Sequence, residues 1–166
     1  AFNNTDVSWL KNRYAFYCAQ SYKDAKNPDK AIEWYKKTLA LDCCEQEKFY
    51  AAYMIGVLEQ QSNNICNAMS YYLLTLTYDS NRWEGLYFAI QHLLTSKQDN
   101  LANILISGID ITNTINPREG KTLFINDDIH DYKMYITIII VAYKYGNHGK
   151  GRQAQLNLYD NFDQLP

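Results

Sequence analysis

Ala15-Phe16-Tyr17-Cys18-Ala19-Gln20-Ser21-Tyr22 is matched 37 residues later by Ala52-Tyr53-Met54-Ile55-Gly56-Val57-Leu58-Glu59, and this recurrence decides the fold. Small Ala19 and Gly56 hold one place in the register. Further along, Ala31 matches Ala68 and Tyr35 matches Tyr72, and Ala102 follows Ala68 by 34 residues. A period in the thirties, with small and aromatic residues at fixed points, marks antiparallel helix pairs that stack into a solenoid. The small residues let two helices approach, and the tyrosines fill the space between pairs. Such units present surfaces rather than carry out chemistry, so a binding or scaffolding module is expected.

Apolar periodicity places the helices. Val7, Leu10, Tyr14, Tyr17, Cys18 and Tyr22 recur at three- and four-residue steps, with Thr5 or Asp6 as N-cap. Asn27-Pro28 closes this helix and opens the next, because Pro in a first turn forfeits no hydrogen bond. Further helices are expected at about 45–60, 65–78, 82–95 and 100–111. Beyond Ile111 the repeat breaks. Residues 116–120 (Asn-Pro-Arg-Glu-Gly) read as a turn-rich connector, and Leu123-Phe124-Ile125 as a short extended run. The segment from Asp127 to Tyr145 contains a β-branched core at 136–141 that propensity alone assigns to a strand. Its length of nearly twenty residues and its helical neighbours favour a helix. Residues 146–151 read as a loop, with Gly146, Gly149 and Gly151 ending a helix and forming a turn, and 152–161 as a last short helix.

Composition narrows the function. Apolar residues make up 47% and charged residues 20%, which is globular, and a net charge of −2 gives no basis for a nucleic-acid partner held through phosphates. Cys18, Cys43, Cys44 and Cys66 lack ligand spacing and read as reduced thiols of a cytoplasmic protein. The N-terminus is polar with no signal-peptide pattern, and the longest apolar run, 134–143, is far short of a membrane span. A start at Ala1 rather than Met fits a piece excised from something longer.

The pattern Ala15-x2-Cys18-Ala19-x2-Tyr22 followed by Ala31-x3-Tyr35, repeated as Ala52-x2-Ile55-Gly56-x2-Glu59 and Ala68-x3-Tyr72, resembles the tetratricopeptide (TPR) repeat. It departs from that repeat by placing Ala where Trp is usual and by lacking the closing Pro, so the match is to a divergent TPR-like subclass. The resemblance implies an all-α, right-handed TPR-like solenoid of antiparallel pairs. A single domain, 1–166, would hold pairs at about 6–41, 45–79 and 82–111, with a less regular helical cap over 112–161. A narrower likeness is carried by residues 13–24 and 31–35, by Arg82-Trp83-Glu84, and by Leu123-Phe124-Ile125 before an acidic helix start. These resemble the helical region C-terminal to the catalytic domain of family 2 glycosyltransferases of bacteria and giant DNA viruses. That likeness spans about 9–149 and implies an accessory domain, bacterial or virus-encoded.

The chemistry of transfer is not written in the chain. It contains no Asp-x-Asp to hold a metal against a nucleotide diphosphate and no strand–helix alternation of a nucleotide-binding sheet. Gly120-Lys121-Thr122 lacks the upstream Gly of a phosphate loop. No cofactor, metal site or catalytic residue is assigned, and the chain by itself is not expected to be an enzyme. Asp127, Asp128 and Asp131 suit a helix N-terminus; an unrecognised site there with His130 is the remaining enzymatic reading. Binding is expected on the first helix of each pair: Arg13, Phe16, Gln20 and Lys23; Tyr50, Tyr53 and Gln60; Glu84, Tyr87 and Gln91. Phe16, Tyr53 and Tyr87 would form an aromatic ladder flanked by amides, suited to a peptide or a sugar, or else pack against a neighbouring helix. The partner is then a protein or peptide, a glycosyltransferase catalytic domain or a glycan acceptor. A free-standing peptide-binding adaptor is the alternative.

Overall fold

The computed structural model describes residues 8–111 and 122–160. Every regular element among them is helical: α1 (Ser8–Asp24), α2 (Pro28–Ala40), α3 (Glu45–Gln61), α4 (Ile65–Leu74), α5 (Glu84–Thr95), α6 (Asp99–Ser107), α7 (Met134–Lys144) and α8 (His148–Asp160). A 3₁₀ turn, Thr75–Thr77, extends α4, and a π-helical turn, Ile129–Lys133, leads into α7. The chain divides into two compact units, Ala1–Ser80 and Asn81–Pro166. The caps at Thr5 or Asp6 and the connector at 116–120 lie outside the described residues.

One turn geometry recurs four times. After α1, α3, α5 and α7 the chain passes through a left-handed residue: Lys26 (φ 56°), Asn63 (62°), Lys97 (58°) and Gly146 (73°). At each, that residue's N–H bonds the carbonyl three back, and the next residue's N–H bonds the carbonyl five back. This is the Schellman closure, which satisfies carbonyls that a helix end leaves free. The next residue then starts the following helix. Asn27, Asn64 and Gln98 are N-caps, and the Asn147 side chain accepts from the Lys150 N–H at 3.4 Å. Their backbone carbonyls accept from Ala31, Ala68, Ala102 and Gly151, all buried. The recurrent small residue is thus the fourth residue of each second helix, where the turn presses it inward. Gly151 is the fourth example, 49 residues after Ala102, a spacing too irregular to stand out in the sequence.

In unit one, consecutive helices pack on each other. Contacts join residues equidistant from the turn, so the pairs run antiparallel: Phe16 meets Tyr35 with ring centroids 6.4 Å apart, and Gly56 lies under Tyr72. Phe16, Ala19, Ala31, Tyr35, Tyr50, Ile55 and Leu58 form the core here. In unit two, α5 packs on α6, α6 on α7, and α7 on α8. Lys150 of α8 donates to the Ser107 carbonyl at 2.9 Å and to Ile109 at 2.6 Å, closing the end of α6. No helix among the described residues is long and apolar enough to cross a membrane.

Two expectations are corrected. The 146–151 segment is a loop only to Asn147, and α8 already contains Gly149 and Gly151. Leu123-Phe124-Ile125 is a bend rather than an extended run, with Phe124 at φ 54°. The β-branched 136–141 run is helical. Helical spacing buries Met134, Ile138, Val141 and Ala142 on one side, which an alternating strand could not do.

Candidate binding site

Arg82-Trp83-Glu84 opens α5 and supplies the most buried charges among the described residues of unit two. The Arg82 side chain is 0% exposed and that of Glu84 1%. Arg82 forks onto the carboxylate, Nη2 to Oε1 at 2.7 Å and Nε to Oε2 at 3.4 Å. The same guanidinium donates to the Leu123 carbonyl at 2.9 Å and the Phe124 carbonyl at 3.4 Å, while the Asn126 N–H reaches Glu84 Oε1 at 3.3 Å. His130 Nε2 lies 3.1 Å from Glu84 Oε2; a carboxylate only accepts, so this nitrogen carries the proton. The His130 ring stacks on Trp83 at 5.5 Å and 15°, and Trp83 meets Tyr135 edge-on. Burial pushes the Glu84 carboxyl up, yet the hydrogen bonds from His130 and Arg82 and the two charges prevail and hold it at about 2. A buried charge needs such complete pairing. The cluster fixes where α5, the 122–126 bend and the π-helical turn stand.

Beside it lies an open groove of about 280 Å³, lined by Tyr87, Gln91 and Leu94 of α5 with Lys133, Ile136, Thr137 and Ile140. The steps 87-91-94 and 133-136/137-140 put each set on one helix face. Gln91 Nε2 donates to Thr137 Oγ1 at 3.0 Å, and that hydroxyl donates to the Lys133 carbonyl at 2.9 Å, which orients the amide between aliphatic walls. Lys133 pairs with Asp128 at 2.7 Å. Ile136 and Ile140 stay 42% and 62% exposed, beside a core that buries Ile138.

Of the residues expected to bind, Tyr87 and Gln91 share this groove. Phe16 and Tyr50 instead face inward: Phe16 is 2% exposed and both join the core of unit one, because α1 turns that face toward α2 and α3. Glu84 is likewise interior. Arg13 is exposed, 3.6 Å from the buried Glu47. Lys23 is half-buried beside Asp24, and Tyr53 is half-buried against Tyr50 and Tyr72. Gln60 accepts the Tyr72 hydroxyl at 2.6 Å. Among the described residues, Gln20 Nε2 is buried without a hydrogen-bond partner. Sequence reasoning missed Leu94, Lys133, Ile136, Thr137 and Ile140; once α7 is read as a helix, the 133-136/137-140 spacing is the signal that finds the last four.

Asp127 is exposed and Asp128 holds Lys133, while His130 points to Glu84, so these groups do not converge. Among the described residues no three His, Cys, Asp or Glu side chains gather as a ligand set. No family model matches the chain, and no curated protein matches it.

Proposed function

We propose that this chain is a non-catalytic, TPR-like helical-repeat domain that holds a peptide segment of a protein partner in the groove between α5 and α7. In the accessory-domain reading the partner is a glycosyltransferase catalytic domain or its acceptor. The observation that carries the proposal is the groove itself: aliphatic walls left open to solvent around a fixed amide and hydroxyl. Leu94, Ile136 and Ile140 outnumber the single aromatic, Tyr87, and aliphatic walls suit an apolar peptide side chain better than a sugar ring, which stacks on aromatic faces. Free, exposed Cys44 and Cys66 fit a reducing, cytoplasmic setting.

The test is a peptide array and a glycan array probed with the purified chain and with Ile140→Arg and Gln91→Ala. Peptide hits lost in both variants support the reading. Hits indifferent to both, glycan hits alone, or turnover of a nucleotide sugar with Mg²⁺ or Mn²⁺ would overturn it. A free-standing adaptor would use the same groove, and the native reading frame separates the two: an upstream sheet domain with Asp-x-Asp marks the accessory domain.

A further inference from the structure

We propose that the face of α1 centred on Tyr14 and Tyr17 docks an amphipathic helix of a partner protein, laid along α1 as α2 lies along α3. It shares no residue with the groove between α5 and α7. Tyr14, Tyr17 and Ser21 fall on one helix face at steps of three and four. All three are exposed, the two rings at 53% and 52%. The 37-residue register puts Ala51, Met54 and Leu58 at the same places in α3, and the shared closing turn puts Met134, Thr137 and Val141 there in α7. All six are buried. In α3 the three join one apolar cluster with Ala31 and Tyr35 of α2, and Ile32 and Leu39 pack against it. In the same way α6 packs on α7. The first helix of a pair thus takes the second helix of the preceding pair on this side. Among the described residues no helix covers that side of α1. Tyr17 meets the core ring of Phe16 edge-on at 6.0 Å, so the apolar cluster of unit one reaches the surface there. Tyrosine suits a face that is wet when free and buried when bound, because its ring supplies area while its hydroxyl finds a polar partner. The last helix does not offer the matching stripe. Tyr159 of α8 stands where Leu39 does, but exposed Arg152 and Gln155 replace Ile32 and Tyr35, as on the polar outer side of a capping helix. The occupant is therefore a helix of another protein, with apolar residues spaced as Ala31, Ile32, Tyr35 and Leu39 are.

The probe is a set of stapled helical peptides built on the sequence of residues 27–42, labelled and titrated against the full chain by fluorescence anisotropy. The places of Ala31, Ile32, Tyr35 and Leu39 are varied in size, because Tyr14 is larger than the Ala51 it corresponds to. Peptides apolar at these places should bind. Tyr14→Asp and Tyr17→Asp should each weaken the tightest of them about ten-fold or more, with urea midpoints close to the parent's. Ser21→Arg blocks the same stripe without touching either ring and should weaken binding alike; it decides the matter if a Tyr variant loses its fold. Ile140→Arg, in the groove, should leave this binding unchanged. The proposal is overturned if no peptide binds, if binding is indifferent to all three α1 variants, or if Ile140→Arg abolishes it. A dimer in sedimentation equilibrium that Tyr14→Asp dissolves would put a second copy on the face instead. Binding gained only when residues 1–7 are removed would mean that the chain covers the face itself. Either result also overturns the proposal.

Discussion

Replacing Gly56 by Ala tests the closest helix contact in unit one. In an exposed helix interior this change stabilises by about 0.8–1.0 kcal/mol. Here the new Cβ would lie 2.5 Å from Tyr72 Cδ1 and 2.6 Å from Cε1, inside any tolerable contact. The ring cannot simply swing away: Tyr72 is fully buried and its hydroxyl is tied to Gln60 at 2.6 Å. Overpacking should cost about 1–3 kcal/mol, and slackening the hydroxyl bond about 1 kcal/mol more. Set against the helix gain, the net is a loss of roughly 1–3 kcal/mol. Two internal controls sharpen the test. A Cβ at Gly149 meets nothing within 4 Å, so Gly149→Ala should stabilise by up to about 0.5–1 kcal/mol. Gly151→Ala meets Tyr143 at 2.9 Å, but that ring is partly exposed and can yield, so its effect should fall between the other two. Urea midpoints of the three variants rank them. If Gly56→Ala is as stable as the parent, the close approach of α3 and α4 is wrong.

The other predictions follow the same geometry. The Glu84 pKa is depressed from its ordinary 4.5 to about 2, so its stabilisation is complete above the unfolded value and is lost as pH falls toward 2. That amounts to roughly 3 kcal/mol, and Glu84→Gln should flatten this part of a midpoint-against-pH curve; an unchanged slope would show that other carboxylates cause it. Among the described residues Tyr35 is buried with its hydroxyl unpartnered, and the repeat register puts Lys23, which cannot accept that hydroxyl's proton, where Gln60 accepts from Tyr72. Lys23→Gln should therefore stabilise by about 0.5–1.5 kcal/mol in urea titrations, and a neutral result would mean the two pairs are not equivalent. Phe16→Ala should cost about 3–5 kcal/mol, whereas half-buried Tyr87→Ala should cost far less while weakening the peptides captured on the array; equal losses of stability would make Tyr87 a core residue.

The sequence by itself determined that the chain is helical and where most helices turn. The 37- and 34-residue spacings put Ala31, Ala68 and Ala102 at one place in successive pairs, and Tyr35 and Tyr72 inside. These are local facts: the closing turn fixes which residue of the next helix presses inward, and a few neighbouring residues encode it. Tertiary structure decided what local pattern leaves open. Phe16 has the spacing of a surface ladder, yet α2 and α3 cover that face of α1. The 136–141 run fits either period until α8 and α6 pack against it. Above all, Arg82 and Glu84 look like ordinary helix-start charges. They lie buried because His130, 46 residues from Glu84, and the carbonyls of Leu123 and Phe124 satisfy them at once. A charge enters a low-dielectric interior only when all its partners arrive together, and partners that far along the chain leave no periodic trace.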